Sequence, residues 1–145
     1  MTEKNNIIWK NNTKNIDYQE LSNLYKIAPL GNKPSELLEK VFTNSLFKYF
    51  LYNDKKLIGV GRALADGADC SYICDVAIHP NYQGKGLGKK IIEKLIEDSK
   101  EHKKIILYAV PDKEPFYAKF GFSKMKTAMA IFREQDRAKS MGLVE

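Results

Sequence analysis

The spacing of apolar and polar positions divides the chain into extended and helical segments. Residues 6–10 (Asn-Ile-Ile-Trp-Lys) predict a short first strand. From Asp17, an acceptable N-cap, Leu21, Leu24, Tyr25 and Ala28 recur at helical spacing until Pro29 and Gly31 stop the pattern. A second helix is expected to begin near Pro34 and Ser35, with Leu37, Leu38, Val41 and Phe42 on one face. Leu46 to Tyr52 is short and aromatic, so it reads as a strand, and Asn53-Asp54-Lys55 turns it into a second arm over Lys56–Ala65. Gly59 and Gly61 in that arm predict a bulge or a close backbone approach. After the turn Asp66-Gly67-Ala68-Asp69 comes a strand over 71–78. Strict alternation puts Tyr72, Cys74, Val76 and Ile78 on one of its faces and Ile73, Asp75 and Ala77 on the other. Both faces are apolar except at Asp75, which predicts a central strand.

Three glycines then lead into a helix whose stripe is Leu87, Ile91, Ile92, Leu95 and Ile96, with lysines and carboxylates opposite. Lys104–Val110 reads as another buried strand, so strand, helix and strand form a βαβ unit with parallel pairing and a right-handed crossover. Asp112 is placed to cap a short helix through Lys119, which Gly121 ends. A last strand or hairpin is expected in Phe122–Phe132 and a polar tail over 133–145. With no internal repeat and no long linker, residues 1–145 are read as a single domain.

Composition narrows the class. An apolar fraction of 43% and an aromatic fraction of 11% suffice for a packed core. No apolar run approaches the roughly 20 residues of a membrane span, and the N-terminus lacks a secretory h-region. Cys70 and Cys74 are too few and too close for a disulfide framework, which points to a reducing, cytoplasmic setting. The net charge of +6 suggests an anionic partner. A small anionic ligand is favoured over nucleic acid, because no long basic run occurs. No membrane partner is expected, and whether the chain forms a homodimer is left open.

Gly84, Gly86 and Gly88 remove side chains where the backbone enters a helix, which leaves amides free to grip a phosphate at the positive end of the helix dipole. Lys85, Lys89 and Lys90 add positive charge. A turn needed only for close packing is the plain alternative. The spelling fits neither a Walker A loop nor the G-x-G-x-x-G dinucleotide fingerprint. What fits is a strand ending V-x-x-x-P (Val76–Pro80) followed by Q-x-x-G-x-G, here Gln83-Gly84-Lys85-Gly86-Leu87-Gly88. This resembles the acetyl-CoA signature of the GNAT superfamily of N-acetyltransferases. Further on, Phe116-Tyr117-Ala118-Lys119-Phe120-Gly121-Phe122 is similar to that family's F-Y-x-x-x-G-F signature. The resemblance covers about residues 45 to 132, and Asp75–Glu97 looks closest to plant serotonin N-acetyltransferases and their bacterial relatives.

The resemblance implies a mixed α/β domain built on one twisted, mostly antiparallel sheet of about six or seven strands, with a splayed parallel central pair and about four flanking helices. It implies an acyltransferase moving acetyl from acetyl-CoA directly to a primary amine, with no metal. A small arylalkylamine or polyamine acceptor is expected; a peptide acceptor, or a non-catalytic acyl-CoA-binding module, is the alternative. The backbone of Val76, Ala77 and Ile78 is implied to follow the pantetheine arm, and Gln83, Gly84, Lys85, Gly86, Leu87, Gly88 and Lys89 to hold the pyrophosphate. Phe116 belongs to the same implied cofactor site. The family's pantetheine-contacting Asn is replaced by Val110, and Asp112 stands two residues later in its stead.

The attacking amine must lose a proton, since an alkylammonium with a pKa of about 10.4 has no lone pair. Asp75 is the candidate base; its alternative is pairing with a neighbour such as Arg62. Tyr117 matches the family's general acid, against a packing role for Phe116 and Tyr117. His79 reads first as a solvated turn residue, and Cys74 lacks the partner a covalent nucleophile needs. Phe47, Tyr49, Phe50 and Tyr52 either line an aromatic acceptor pocket or pack in the core.

Overall fold

The structure, a computed structural model, describes residues 6–145. Two compact units divide the chain, one ending at Leu107 and the other spanning Tyr108–Glu145. The first holds a five-stranded sheet in the order β1-β2-β3-β4-β5: Ile7–Lys10, Phe47–Asn53, Lys56–Ala65, Cys70–Ile78 and Lys104–Ile106. The first three pairings are antiparallel, and β4 with β5 is parallel. About six or seven strands were expected from the resemblance; five form among the described residues, and the parallel pair includes the last strand of the sheet order. The second of two differences accounts for the lower count. Lys104–Val110 is strand only over Lys104–Ile106, and Phe122–Phe132 contains no strand.

Helices α1 (Tyr18–Ile27) and α2 (Ser35–Thr43) fill the space between β1 and β2 in sequence. Asp17 caps α1 by accepting from the Gln19 and Glu20 amides at 3.0 and 3.1 Å. Leu21, Leu24, Tyr25, Leu38 and Phe42 turn inward and meet Phe50, Leu57, Val60 and Ala77 of the sheet in one core. Leu37, expected on the same face, is exposed. Helix α3 (Leu87–Asp98) covers the other face, with Ile91, Ile92 and Leu95 buried. On that side Ser71 and Ser99 share a hydroxyl bond of 2.8 Å, and the Tyr49 hydroxyl donates to Asp98.

Gly61 marks the tightest approach between sheet and helix. A Cβ there would stand 2.6 Å from Ile91 Cγ2 and 3.2 Å from Val76 Cγ2. Its place in β3 therefore answers to crowding under α3.

The second unit carries α4 (Glu114–Ala118) and α5 (Gln135–Ser140). Among the described residues five α-helices form rather than about four, because 133–145, read as a polar tail, includes α5. A stack of aromatic rings organises α4: Phe116 lies 5.1 Å from Tyr117 and 5.3 Å from Phe120, and Tyr117 lies 6.3 Å from Phe122. Among the described residues, no helix is long and apolar enough to cross a membrane, and no group of three His, Cys, Asp or Glu side chains converges as a metal site.

Candidate acyl-donor site

The strand that precedes the glycine turn is interrupted by a bulge. Val60 pairs with Ala77 and Arg62 with Cys74, so Gly61 alone faces both Asp75 and Val76. Asp75 takes up the extra length with a φ of 57°, a left-handed conformation that Asp tolerates better than most residues. The bulge shifts the frame of the strand. Val76 now lies beneath α3 near Gly61, while Ala77 joins the α1 core and Cys74 shares the electrostatic neighbourhood of Arg62, Asp75 and Lys33. The strict alternation read from the sequence is thereby corrected, since Cys74 and Asp75 belong to one side instead of two. Pairing of β4 with β5 stops at Tyr72 and Ile106, so the stretch from Ile73 to Ile78 has no β5 partner.

Asp75 is held from several elements. Arg62 Nε on β3 donates to its Oδ2 at 2.8 Å, and Lys33 Nζ lies 3.7 Å from Oδ1. The Arg62 guanidinium also donates to the Ser45 hydroxyl at 3.2 Å, which itself donates to the Val41 carbonyl. The Tyr25 hydroxyl, wholly buried on α1, donates to the Asp75 backbone carbonyl at 2.7 Å. Arg62 was foreseen as a partner; Tyr25 and Lys33 were not. The available signal was a tyrosine on the apolar stripe of a helix, whose buried hydroxyl requires an acceptor.

Past Ile78 the chain makes a short 3-10 turn, Pro80–Tyr82, and enters the glycines. His79 caps this turn by accepting from the Asn81 amide through Nδ1, and burial with the nearby Lys56 charge lowers its pKa. Gln83 Nε2 donates back to the Ile78 carbonyl at 3.0 Å, which ties the turn to the strand end. Asn53 donates to the Tyr82 hydroxyl at 2.9 Å, and the ammonium groups of Lys85 and Lys56 lie 5.4 and 5.7 Å from the centre of the Tyr82 ring. Gly86 is the N-cap of α3 at a φ of 79°, which glycine adopts without steric cost. The first intrahelical bond runs from the Lys90 amide to the Gly86 carbonyl. The amides of Leu87, Gly88 and Lys89 precede it, and Gly86 offers no side chain to cap them. Beyond Leu87, which is buried, the turn is open; a Cβ at Gly84 or Gly86 would meet nothing within 4 Å.

Cys74 sits half-buried, and burial pushes its thiol up to about 11, so it is a thiol at neutral pH. The four aromatic residues of β2 split between the faces. Phe50 and Tyr52 pack with the α1 core, whereas Tyr49 stands edge-on to Trp9 at 5.6 Å and Phe47 edge-on to His102 at 5.9 Å. They do not line one pocket.

In the second unit, burial raises the Tyr117 hydroxyl above its ordinary pKa and keeps it a proton donor. Phe116 is exposed at its side. Asp112, exposed at a φ of 74°, occupies the turn before α4 and does not cap it, because Lys113 holds the N-cap position. A groove of about 310 Å³ lined by Phe132, Arg137 and Leu143 contains none of these residues.

The family model described as acetyltransferase (GNAT) family matches residues 15–122. An uncharacterized N-acetyltransferase, ycf52, of Pyropia yezoensis is 37% identical over 123 residues, which is 81% of this chain and 71% of that protein. A ycf52-like N-acetyltransferase of Prochlorococcus marinus is 33% identical over 76% of this chain and 64% of its own length. A solved structure of a probable acetyltransferase from meticillin-resistant Staphylococcus aureus superposes with a TM-score of 0.75 at 28% identity, covering 86% of this chain and 98% of that one.

Proposed function

Because the chain belongs to the GNAT acetyltransferase family, we propose that it moves acetyl from acetyl-CoA directly onto a primary amine of a small molecule, with the donor seated along Val76–Ile78 and the glycine turn. One observation carries this reading: a strand opened by a bulge at Asp75 leads, through the short turn at Pro80–Tyr82 and the glycines, to uncapped helix amides at Leu87, Gly88 and Lys89. The first feature suits a thioester and the second a pyrophosphate.

The residues then divide the work. The amides from Gly84 to Lys89 bind the pyrophosphate, with Lys85 adding charge beside them, and Gln83 fixes the turn on the strand. The backbone of Val76, Ala77 and Ile78 hydrogen-bonds the pantetheine arm. The Val76 N–H polarises the thioester carbonyl, the amine nitrogen bonds to the carbonyl carbon, and the carbon–sulfur bond breaks. The departing sulfur needs a proton, and the resemblance to the family signature assigns that role to Tyr117, whose raised pKa keeps its proton available at neutral pH. Both Asp75 oxygens face a cation, one on Arg62 and one on Lys33. This pairing supports a role in holding the bulge, with the ammonium proton passing to water. Phe116 and Asp112 precede Tyr117 in sequence and are assigned to cofactor binding by the resemblance alone.

A panel of arylalkylamines, polyamines and peptides with acetyl-CoA, read by free thiol, tests this. Thiol release with a small amine is expected. Release with peptides alone would move the acceptor to protein, and tight acetyl-CoA binding without release would make the chain an acyl-CoA-binding module.

A further inference from the structure

The Tyr25 hydroxyl is buried inside the α1 core, yet its bond goes to a backbone carbonyl on β4, fifty residues away. That carbonyl belongs to Asp75, the residue with a φ of 57° on which the bulge turns. The Asp75 side chain is anchored separately, by Arg62 of β3 and by Lys33 of the loop between α1 and α2. Lys33 in turn has its ammonium 5.5 Å from the centre of the Tyr25 ring, and its carbonyl accepts from Ser22 of α1 at 2.6 Å. The two anchors do different things. Arg62 and Lys33 restrain the side chain, whereas Tyr25 restrains the peptide plane joining Asp75 to Val76. In a trans peptide the C=O and N–H point in opposite directions, so holding the Asp75 carbonyl fixes the direction of the Val76 N–H.

We propose that Tyr25 is a positioning residue for acyl transfer, whose hydroxyl holds the Asp75 carbonyl so that the Val76 N–H stays aimed at the thioester oxygen. The inference rests on the assignment of that N–H as the polarising group under the proposed function. It makes α1 part of the reaction geometry. A donor that must align with a developing oxyanion loses much of its effect when it turns away, because hydrogen bonds weaken steeply with angle.

The test is Tyr25→Phe, which keeps the ring in its core and removes only the oxygen. Isotope-edited infrared spectra of carbonyl-labelled acetyl-CoA read the polarisation directly and need no acceptor. In the unaltered protein the bound carbonyl band is expected at lower frequency than in free acetyl-CoA. In Tyr25→Phe it should move back toward the free position, with turnover down about tenfold to a hundredfold and the KM for acetyl-CoA nearly unchanged. Leu24→Ala, a cavity in the same helix, should lower the melting temperature while leaving the band shifted. A band in Tyr25→Phe identical to that of the unaltered protein, whatever happens to turnover, overturns the positioning role and leaves the proposed function standing. A band that is unshifted in the unaltered protein removes the Val76 assignment, and the role of Tyr25 with it.

Discussion

Asp75 has a left-handed backbone inside a strand and a carboxylate shared by two cations. Asp75→Asn separates these features, since Asn accepts the same φ but cannot neutralise Arg62. Leaving the half-buried guanidinium without its counter-charge is expected to cost about 1–3 kcal/mol, measurable by urea unfolding. A loss near zero would mean that the backbone and not the ion pair holds the bulge. Cys74, with its thiol at about 11, is expected to be replaceable: Cys74→Ser should retain turnover, and inactivation would restore a covalent step. Tyr117→Phe should lower kcat far more than acetyl-CoA affinity, and an equal loss in both would remove the acid role. At this scale the sequence showed which residues are unusual but not how they face. The lone carboxylate of an apolar strand was visible, but the bulge was not, because register is settled by pairing with β3 and not by β4 alone.

The elements divide by how local their causes are. The glycine turn and α3 were legible because a left-handed N-cap, a run of glycines and an apolar stripe all lie within one short stretch. The same locality made the α1 cap at Asp17 and the hairpin of β2 and β3 readable. Phe122–Phe132 was misread because alternation of apolar and polar residues describes a strand's faces without supplying the neighbour that makes it a strand. Gly61 gives an element-scale test. Gly61→Ala drives a methyl to 2.6 Å from Ile91, and the overpacking should cost about 1–3 kcal/mol. Unchanged stability would show that α3 can retreat from the sheet. The turn before β4 offers a pH test. Asp66 Oδ1 accepts from the Ala68, Asp69 and Cys70 amides, which lowers its carboxyl from 3.8 to about 2. A depressed folded pKa stabilises above the unfolded value and is lost as pH falls through the folded one. The melting temperature of the protein should therefore exceed that of Asp66→Asn near neutral pH, with the gap closing as pH falls from 3.8 toward 2. A gap that persists in acid would assign the difference to something other than the carboxylate.

Across the whole molecule, the two signatures recognised in the sequence fall in different compact units, the glycine turn before Leu107 and the Phe116–Phe122 segment after it. Family membership was legible because both signatures are short, local spellings. The acceptor was not, since acceptor recognition depends on which side chains meet across elements, and the β2 aromatics that suggested a pocket divide between two faces of the sheet. The central claim is direct acetyl transfer to an amine nitrogen. It is tested most directly by supplying isotopically labelled acetyl-CoA with the best amine of the panel and following the label by mass spectrometry. Label should leave with the amine as an amide, in step with released CoA and never on the protein; CoA release no faster than hydrolysis, or label resting on the protein, would contradict it.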